Sequence, residues 1–209
     1  MEKRRLLIVG AGPMARETYF YAVQTFPEIE MAGFLDDRGN VLDGFEGYPS
    51  ILGSVECFHP QENDVFLCAI GDPSQRKKYA LIMEEKGMRV ATLIHPQAFV
   101  GGNVEIGQGS IVAPSAVITS DVTIGRHVIV NVQSSISHDC VLADFVTLSP
   151  GCHLPGGCRL EESVFMGAHS TLIPNVSLAA GTFVAAGGVV VASNEIPNVR
   201  LMGVPARVK

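Results

Sequence analysis

A repeat of six residues dominates the pattern of hydrophobic and polar positions between residues 100 and 190. Every sixth residue there is aliphatic or methionine: Val100, Ile106, Val112, Ile118, Ile124, Val130, Ile136, Leu142, Leu148, Leu154, Leu160, Met166, Leu172, Leu178, Val184 and Val190. The residue two places before each of these is small or β-branched, and no Asp, Glu or Arg falls at either position. The pattern therefore predicts an inward-facing set of positions that never loses its phase.

A period of six fits neither an α-helix, which repeats every 3.6 residues, nor an alternating strand. It is typical of a β-solenoid, in which short strands coil and each coil stacks on the previous one. Three six-residue sides predict a triangular coil of roughly 18 residues, and roughly five coils fit into the stretch. Gly101, Gly107, Gly125 and Gly167 follow inward aliphatic residues, where we expect corners to need a backbone free of Cβ contacts.

The first 95 residues show a different pattern, in which buried strands alternate with helices. Residues 5–9 are predicted as a strand, followed by the glycine-rich turn GAGPMA at residues 10–15 and a helix to about Gln24. Such a turn lets backbone N–H groups approach a phosphate, and its letters fit the G-x-G-x-x-A dinucleotide fingerprint. The alternative is a tight strand–helix turn without a ligand, and Pro13 removes one N–H donor.

Further strands are predicted over residues 29–35, 64–70 and 89–93, with a helix over residues 75–86 that Ser74 caps. The first three strands end at loops that carry Gly12, Asp36 and Gly71, which we expect to meet in the ligand crevice of an open α/β sheet. An acid at the end of the second strand can bind a ribose hydroxyl, although a solvated loop is the alternative for Asp36 and Asp37. The domain has only half the length of a dinucleotide fold, so a mononucleotide fits better than NAD.

Composition narrows the function further. The chain has 209 residues, a hydrophobic fraction of 47% and a net charge of −6, which argues against a nucleic-acid partner. We expect no membrane insertion and a cytoplasmic location, because no apolar run of about 18 residues occurs and the apolar stretch after the basic start is too short for a signal peptide. Cys68, Cys140, Cys152 and Cys158 are predicted to be core thiols, and no CxxC spacing indicates a metal site.

The six-residue repeat resembles the hexapeptide repeat of the left-handed β-helix acyltransferases. The ending Gly203-Val204-Pro205-Ala206-Arg207 is similar to the GxPA[KR] ending of that superfamily. The left hand of the coil is implied by this resemblance. The expected fold is thus an α/β Rossmann-like domain over residues 1–95, followed by an all-β left-handed parallel β-helix over residues 96–209, with the boundary at His95-Pro96.

The whole chain is similar to the sugar O- and N-acyltransferases of the sialic-acid and bacillosamine type, the NeuD/PglD family. The similarity lies in residues 8–12, 34–37, 69–71, 76–78, 93–95 and 137–141, in this order and spacing. It implies transfer of an acetyl group from acetyl-CoA to a UDP-linked amino sugar in glycan biosynthesis. It also implies a homotrimer whose active site lies between subunits, and no metal.

The same resemblance assigns site residues. His138, in the segment Ser137-His138-Asp139-Cys140, would be the general base, Asp139 would raise its basicity, and Asn131 matches a further active-site position. The substrate-binding positions would be Gly12, Pro13, Met14, Asp36, Asp37, Gly71 and Ser74. The acetyl-CoA positions would be Thr147, Ala168 and Ala186.

Two departures from the family pattern bear on the sugar. Pro13-Met14-Ala15 stands where the family turn usually carries Gly-His-Gly, and Thr147 stands where a second histidine often occurs. Because Thr147 lies outside the inward-facing positions, we expect histidine to be tolerated there. Several basic residues either meet phosphates or form a solvated surface, namely Arg16, Arg76, Lys77 and Lys78 toward the sugar nucleotide and Arg200, Arg207 and Lys209 toward CoA.

Other functions remain as alternatives. An O-acetyltransferase acting on a sialic-acid-like sugar is the nearest, and a non-catalytic nucleotide-sugar-binding scaffold is another, although His138 and Asp139 argue against it. A γ-type carbonic anhydrase uses the same coil but needs closely spaced metal-binding histidines, and no H-x₄-H occurs. An oxidoreductase would rest on the glycine-rich turn alone and needs a longer first domain.

Overall fold

The first domain is a three-stranded parallel sheet with two helices, as the computed structural model of residues 3–209 shows. Its elements are β1 (Arg5–Val9), α1 (Pro13–Thr25), β2 (Glu30–Leu35), β3 (Asp64–Cys68) and α2 (Pro73–Glu85). The strand order β2-β1-β3 places β1 in the centre. The carboxyl ends of all three strands therefore open at the same edge of the sheet, as the sequence predicts.

Two local predictions for this domain are wrong. Residues 89–93 add no regular fourth strand, because only Val90 bridges to Phe66 in β3. The amide of Leu93 donates instead to the carbonyl of Ser110, 2.9 Å away, and so joins the coil. Helix α2 is capped by Asp72 rather than Ser74, since the Asp72 carboxylate accepts from the Gln75 amide at 2.9 Å. The helix begins at Pro73, so Ser74 lies inside its first turn and cannot occupy the N-cap position.

The six-residue repeat folds into a triangular coil of short parallel strands, which confirms the predicted solenoid. Its strands are β4 (Leu93–Ile94), β5 (Phe99–Val100), β6 (Glu105–Ile106), β7 (Ile111–Val112), β8 (Val117–Ile118), β9 (Thr123–Ile124), β10 (Ile129–Val130), β11 (Ser135–Ile136), β12 (Val141–Leu142), β13 (Thr147–Leu148), β14 (His153–Leu154), β15 (Arg159–Leu160), β16 (Phe165–Met166), β17 (Thr171–Leu172), β18 (Ser177–Leu178), β19 (Phe183–Val184), β20 (Val189–Val190), β21 (Arg200–Gly203) and β22 (Ala206–Val208). Strands 18 residues apart pair in register, as Ile111, Ile129 and Thr147 do. With β4 and β21 included, the coil has about six turns rather than five.

Three sheets make the three sides of the coil. Side 1 has the order β22-β21-β19-β16-β13-β10-β7-β4, side 2 has β20-β17-β14-β11-β8-β5, and side 3 has β18-β15-β12-β9-β6. The inward aliphatic side chains are buried along the axis, from Val112 to Val190. Burial of each is worth roughly 1.5–3 kcal/mol before conformational entropy is subtracted. Cys140, Cys152 and Cys158 lie in this core as predicted.

Every sixth residue of the coil adopts a left-handed conformation at a corner. Non-glycine examples include Asp121, His127 and Asp139, with φ between 53° and 61°. The prediction that Gly101, Gly107, Gly125 and Gly167 need a backbone free of Cβ contacts is confirmed, although their φ angles are not positive. A Cβ on Gly125 would lie 2.7 Å from the carbonyl carbon of Ala143, so these glycines allow the next coil to approach closely.

The first domain covers the N-terminal part of side 1, at strands β4, β7 and β10. The outward residues Leu93, Ile111 and Ile129 are buried in one cluster with Leu6 and Ile8 of β1. These apolar residues occupy positions that would face water elsewhere on the coil. Their burial holds helix α1 and one face of the small sheet against the solenoid.

Arg76 ties the two parts together. Its guanidinium is completely buried and donates only to neutral oxygens. The acceptors are the carbonyls of Ile70 (2.6 Å), Gly71 (3.0 Å), His127 (2.8 Å), Phe145 (2.7 Å) and Val146 (3.2 Å) and the hydroxyl of Thr147 (2.8 Å). Burial lowers the pKa of Arg76 to about 10, so the side chain stays charged at neutral pH. Arg76 therefore follows neither alternative expected from sequence, since it is available neither to a substrate phosphate nor to solvent.

Candidate functional site

A cleft of about 470 Å³ lies at the carboxyl ends of β1, β2 and β3. The structure brings together there six of the seven predicted substrate-binding residues, namely Gly12, Pro13, Met14, Asp36, Asp37 and Gly71. Ser74 does not line the cleft, because its hydroxyl donates to the Asp72 carboxylate at 2.6 Å. The three strand-end loops thus form one crevice, as expected for an open α/β sheet.

Asp36 is fully engaged by the protein itself. Its carboxylate accepts from the Ala11 amide at 2.8 Å and from the Arg38 amide at 3.0 Å. Two guanidinium N–H groups of Arg38 add bonds of 2.9 Å each, one to each oxygen. Burial alone would raise the pKa of Asp36, but the hydrogen bonds from Arg38 and Ala11 hold it below its usual value. About four acceptor positions of the Asp36 carboxylate are thus filled within the protein, which orders this side of the cleft, and the contact of Asp36 with a ribose hydroxyl stays a prediction.

Sequence reasoning missed two side chains of the cleft, Arg38 and Tyr79. Arg38 is the cation of the cleft, and 65% of its side chain is exposed beside Gly12. The Tyr79 hydroxyl donates to the Asp37 carboxylate, and this bond raises the pKa of Tyr79. The position of Arg38 could have been inferred from the sequence, since it directly follows Asp36 and Asp37. Tyr79 lies one helical turn after Gln75, which also lines the cleft.

His138 and Asp139 form a second candidate site at the corner between sides 2 and 3. The Nδ1–H of His138 donates to Oδ2 of Asp139 over 2.7 Å, and both side chains are largely exposed. The hydrogen bond and the charge of Asp139 raise the pKa of His138. Because a carboxylate can only accept, this bond places the proton on Nδ1 and leaves the Nε2 lone pair available for a proton. Asp139 itself adopts the left-handed conformation, which aspartate tolerates better than most residues.

Three further predicted site residues of the coil, Asn131, Ala168 and Ala186, lie at the opposite edge of side 2. Asn131 begins the corner before β11, and its side-chain oxygen accepts from the Val132 amide at 2.7 Å. Ala168 and Ala186 stack at the same edge on adjacent coils, where the amide of Gly187 donates to the Ala168 carbonyl at 2.8 Å. Within one chain, the full width of side 2 therefore lies between these three residues and His138.

Thr147 lies on side 1 beneath the first domain. Only 4% of it is exposed, and its hydroxyl accepts from Arg76 and donates to the carbonyl of Gly71 at 3.1 Å. The expectation that a histidine would be tolerated there is wrong. An imidazole would need space already taken by Arg76, and overpacking of this kind typically costs 1–3 kcal/mol. The predicted contact of Thr147 with acetyl-CoA stays a prediction.

The remaining basic residues have neighbours outside the cleft. Arg16 lies over the ring of Phe45 at 3.5 Å, and Lys77 pairs with Glu162. Arg200 lies 5.1 Å from the centroid of the Phe183 ring. Lys78, Arg207 and Lys209 are exposed. Of the cations singled out from sequence, none lines the cleft, and Arg38 takes that place.

Residues 3–209 contain neither a metal-binding cluster nor a membrane-spanning helix. No group of three or more His, Cys, Asp or Glu side chains in that range is arranged to hold a metal ion. No helix of the described chain is long and apolar enough to cross a membrane.

Residues 5–82 match the family model of the PglD N-terminal domain. Over the full length, the chain is similar to the acetyltransferase domain of PglB from Neisseria gonorrhoeae in complex with acetyl coenzyme A. The two share 30% identity and a TM-score of 0.89, with 100% of both chains covered. WeeI from Acinetobacter baumannii is 27% identical with a TM-score of 0.89, over 99% of this chain and 100% of that one. PerB from Caulobacter crescentus, in complex with CoA and GDP-perosamine, is 32% identical with a TM-score of 0.87, over 98% and 96% of the two chains.

Proposed function

We propose that this chain, which belongs to the NeuD/PglD family of left-handed β-helix sugar acetyltransferases, transfers an acetyl group from acetyl-CoA to the amino group of a nucleotide-linked sugar. The observation that carries the proposal is the exposed His138–Asp139 pair, which presents a lone pair on Nε2 at a coil corner. The cleft of the first domain supplies a second site, of a size suited to a mononucleotide. Similarity to enzymes whose structures hold acetyl-CoA, or CoA with GDP-perosamine, supports both the acetyl donor and the nucleotide-linked acceptor.

His138 acts as the general base in the proposed reaction. The sugar amine attacks the thioester carbonyl, a C–N bond forms, the C–S bond breaks, and Nε2 takes the proton that the nitrogen loses. The proton then passes to the departing CoA thiolate, so that CoA leaves as the thiol. A positioned base of this kind contributes about 10²–10⁴-fold to the rate.

We infer that the acetyl-CoA site forms between two copies of the chain. Asn131, Ala168 and Ala186 lie at one edge of side 2 and His138 lies at the other. A cyclic assembly of flat-sided prisms brings one edge of a subunit beside the opposite edge of its neighbour, and a trimer closes such a ring. Each active site would then take its base from one subunit and its acetyl-CoA contacts from the next.

The trimer makes a direct prediction about mass. Multi-angle light scattering at micromolar concentration should give about three times the chain mass of 22.3 kDa. Dilution that releases a monomer should also remove activity, because the monomer holds only half of each site. A mass of one chain combined with full activity would contradict the shared site.

The proposed reaction is tested by release of free thiol from acetyl-CoA across a panel of acceptors. UDP-linked amino sugars were expected from sequence, and GDP-linked amino sugars enter the panel because PerB holds GDP-perosamine. The matched controls are the same nucleotide sugars with a hydroxyl in place of the amine, together with free sialic acid. We expect thiol release with at least one nucleotide amino sugar and not with its hydroxyl control. Faster thiol release with sialic acid would indicate O-acetylation. If none of the acceptors supported thiol release, only the alternative of a non-catalytic binding scaffold would remain.

Asp139→Asn should change the pH dependence of the enzyme. A general base works when neutral, so activity rises with pH through the pKa of His138. Asp139 raises that pKa, so asparagine should move the acid limb of the kcat/KM profile to lower pH. The weaker base should also reduce the plateau rate by about 10-fold. Asparagine tolerates the left-handed corner, so folding should be unaffected, and an unmoved acid limb would exclude His138 as the titrating base.

A further inference from the structure

Gly156 lies against the imidazole of His138. It follows His138 by 18 residues and occupies the same corner one coil further along, where the Gly157 amide donates to the His138 carbonyl at 2.9 Å. A Cβ on Gly156 would lie 2.4 Å from Cε1 of His138 and 2.7 Å from its Nε2. Real Cβ atoms essentially never approach other heavy atoms so closely, so the ring occupies space that only glycine leaves free.

The backbone of this corner does not itself require glycine. The equivalent positions on the other coils are Gly102, Ser120, His138, Pro174 and Ala192, and four of these carry a Cβ. Gly156 also lacks the left-handed conformation that its neighbour Gly157 adopts with φ at +75°. The imidazole of His138 is therefore the feature that distinguishes position 156.

We propose that Gly156 is a positioning residue for the general base, because it leaves room for the His138 ring against the next coil while Nδ1 is bonded to Asp139. This inference rests on the proposed function of His138. The side chain of His138 is 65% exposed, so little else holds it. The Asp139 bond fixes Nδ1, and the space beside Gly156 accommodates Cε1 and Nε2 of the ring.

A methyl group at position 156 should displace the ring from Asp139. The titratable groups that act on His138 are Asp139 and Cys140 of its own corner and Asp121 of the preceding coil. Since the Asp139 bond is the largest cause of the raised pKa, a displaced ring should titrate at lower pH. A misplacement of about 1 Å in a catalytic group can cost about 100-fold in rate.

Gly156→Ala should therefore lower kcat by about 10- to 100-fold with little change in either KM. Gly102→Ala is the matched control, because Gly102 has the same corner position and a Cβ there meets nothing within 4 Å. Gly156→Ser serves as a second variant, since Ser120 shows that serine fits this corner. The melting temperatures of all three variants should stay close to that of the parent protein.

A double-mutant cycle with His138→Ala separates positioning from a general effect on the coil. In the His138→Ala background, Gly156→Ala should leave the residual activity unchanged, because no ring remains to be displaced. An NMR titration of the His138 imidazole gives a readout without substrate, and its pKa should fall in Gly156→Ala but not in Gly102→Ala. If no acceptor is turned over, the proposed function fails and the titration alone still decides the positioning. An unmoved pKa, or an equal loss of activity in both backgrounds, would overturn the proposal.

Discussion

Replacement of His138 by alanine should lower kcat by about 10²–10⁴-fold while the KM for acetyl-CoA and for the sugar nucleotide stay within about threefold. The reason is that alanine removes proton transfer and touches neither the cleft nor the stacked alanines of the opposite edge. The ring is exposed at a corner, so its loss leaves the coil intact. Initial rates of thiol release at saturating substrates, with the melting temperature alongside, measure both parts.

A histidine outside the coil provides the control for this variant. His59 is exposed in the loop after β2 and lies far along the chain from the corner, so His59→Ala should keep full activity. Retention of kcat within about threefold in His138→Ala would reject His138 as the base. A fall in melting temperature that matches the fall in activity would assign the effect to folding.

Arg76→Met should destabilise the protein by about 3–5 kcal/mol. Methionine keeps much of the apolar volume but removes the guanidinium donors of six neutral oxygens in both domains. Of these oxygens, the carbonyls of Gly71 and Val146 keep a second donor. Buried acceptors without a donor cost about 1–3 kcal/mol each, and release of a buried charge offsets part of that sum. Urea unfolding followed by tyrosine fluorescence and by circular dichroism gives the free energy.

Two variants make the Arg76 experiment specific. Arg76→Lys keeps the charge but not the planar fork, so it should recover only a minor part of the loss. Lys78→Met, on the same helix but exposed, should change the free energy of unfolding by at most about 0.5 kcal/mol. A loss below about 1 kcal/mol in Arg76→Met would show that the hydrogen bonds to side 1 are not what joins the domains.

The coil could be predicted from sequence because its signal is repeated in every turn. Each inward side chain packs against the equivalent side chains of the coils above and below, so every coil must keep the same pattern of aliphatic positions. The phase shows only that His138 and Asp139 lie outside the inward positions, and it was the resemblance to the family that distinguished them from the other exposed residues of the coil. The strand-end cleft was predicted for a similar reason, because three separate loops pointed to one edge.

The junction between the domains could not be predicted in the same way. Thr147 and Arg76 each look like surface residues in their own local pattern, and only the docking of the first domain on side 1 buries them. A faint signal exists in Leu93, Ile111 and Ile129, which are apolar at positions that face outward. Asp36 shows a second limit, because the hydrogen bonds that its carboxylate accepts from Arg38 depend on a loop conformation that the sequence pattern does not specify.

The central claim is that an acetyl group moves from acetyl-CoA to the amine of a nucleotide-linked sugar. Mass spectrometry of the sugar nucleotide, after incubation with carbon-13-labelled acetyl-CoA and either the parent protein or His138→Ala, tests it most directly. We expect one labelled acetyl group on the amine with the parent protein and almost none with His138→Ala in the same time. A label found on a hydroxyl, or equal labelling by both proteins, would contradict it.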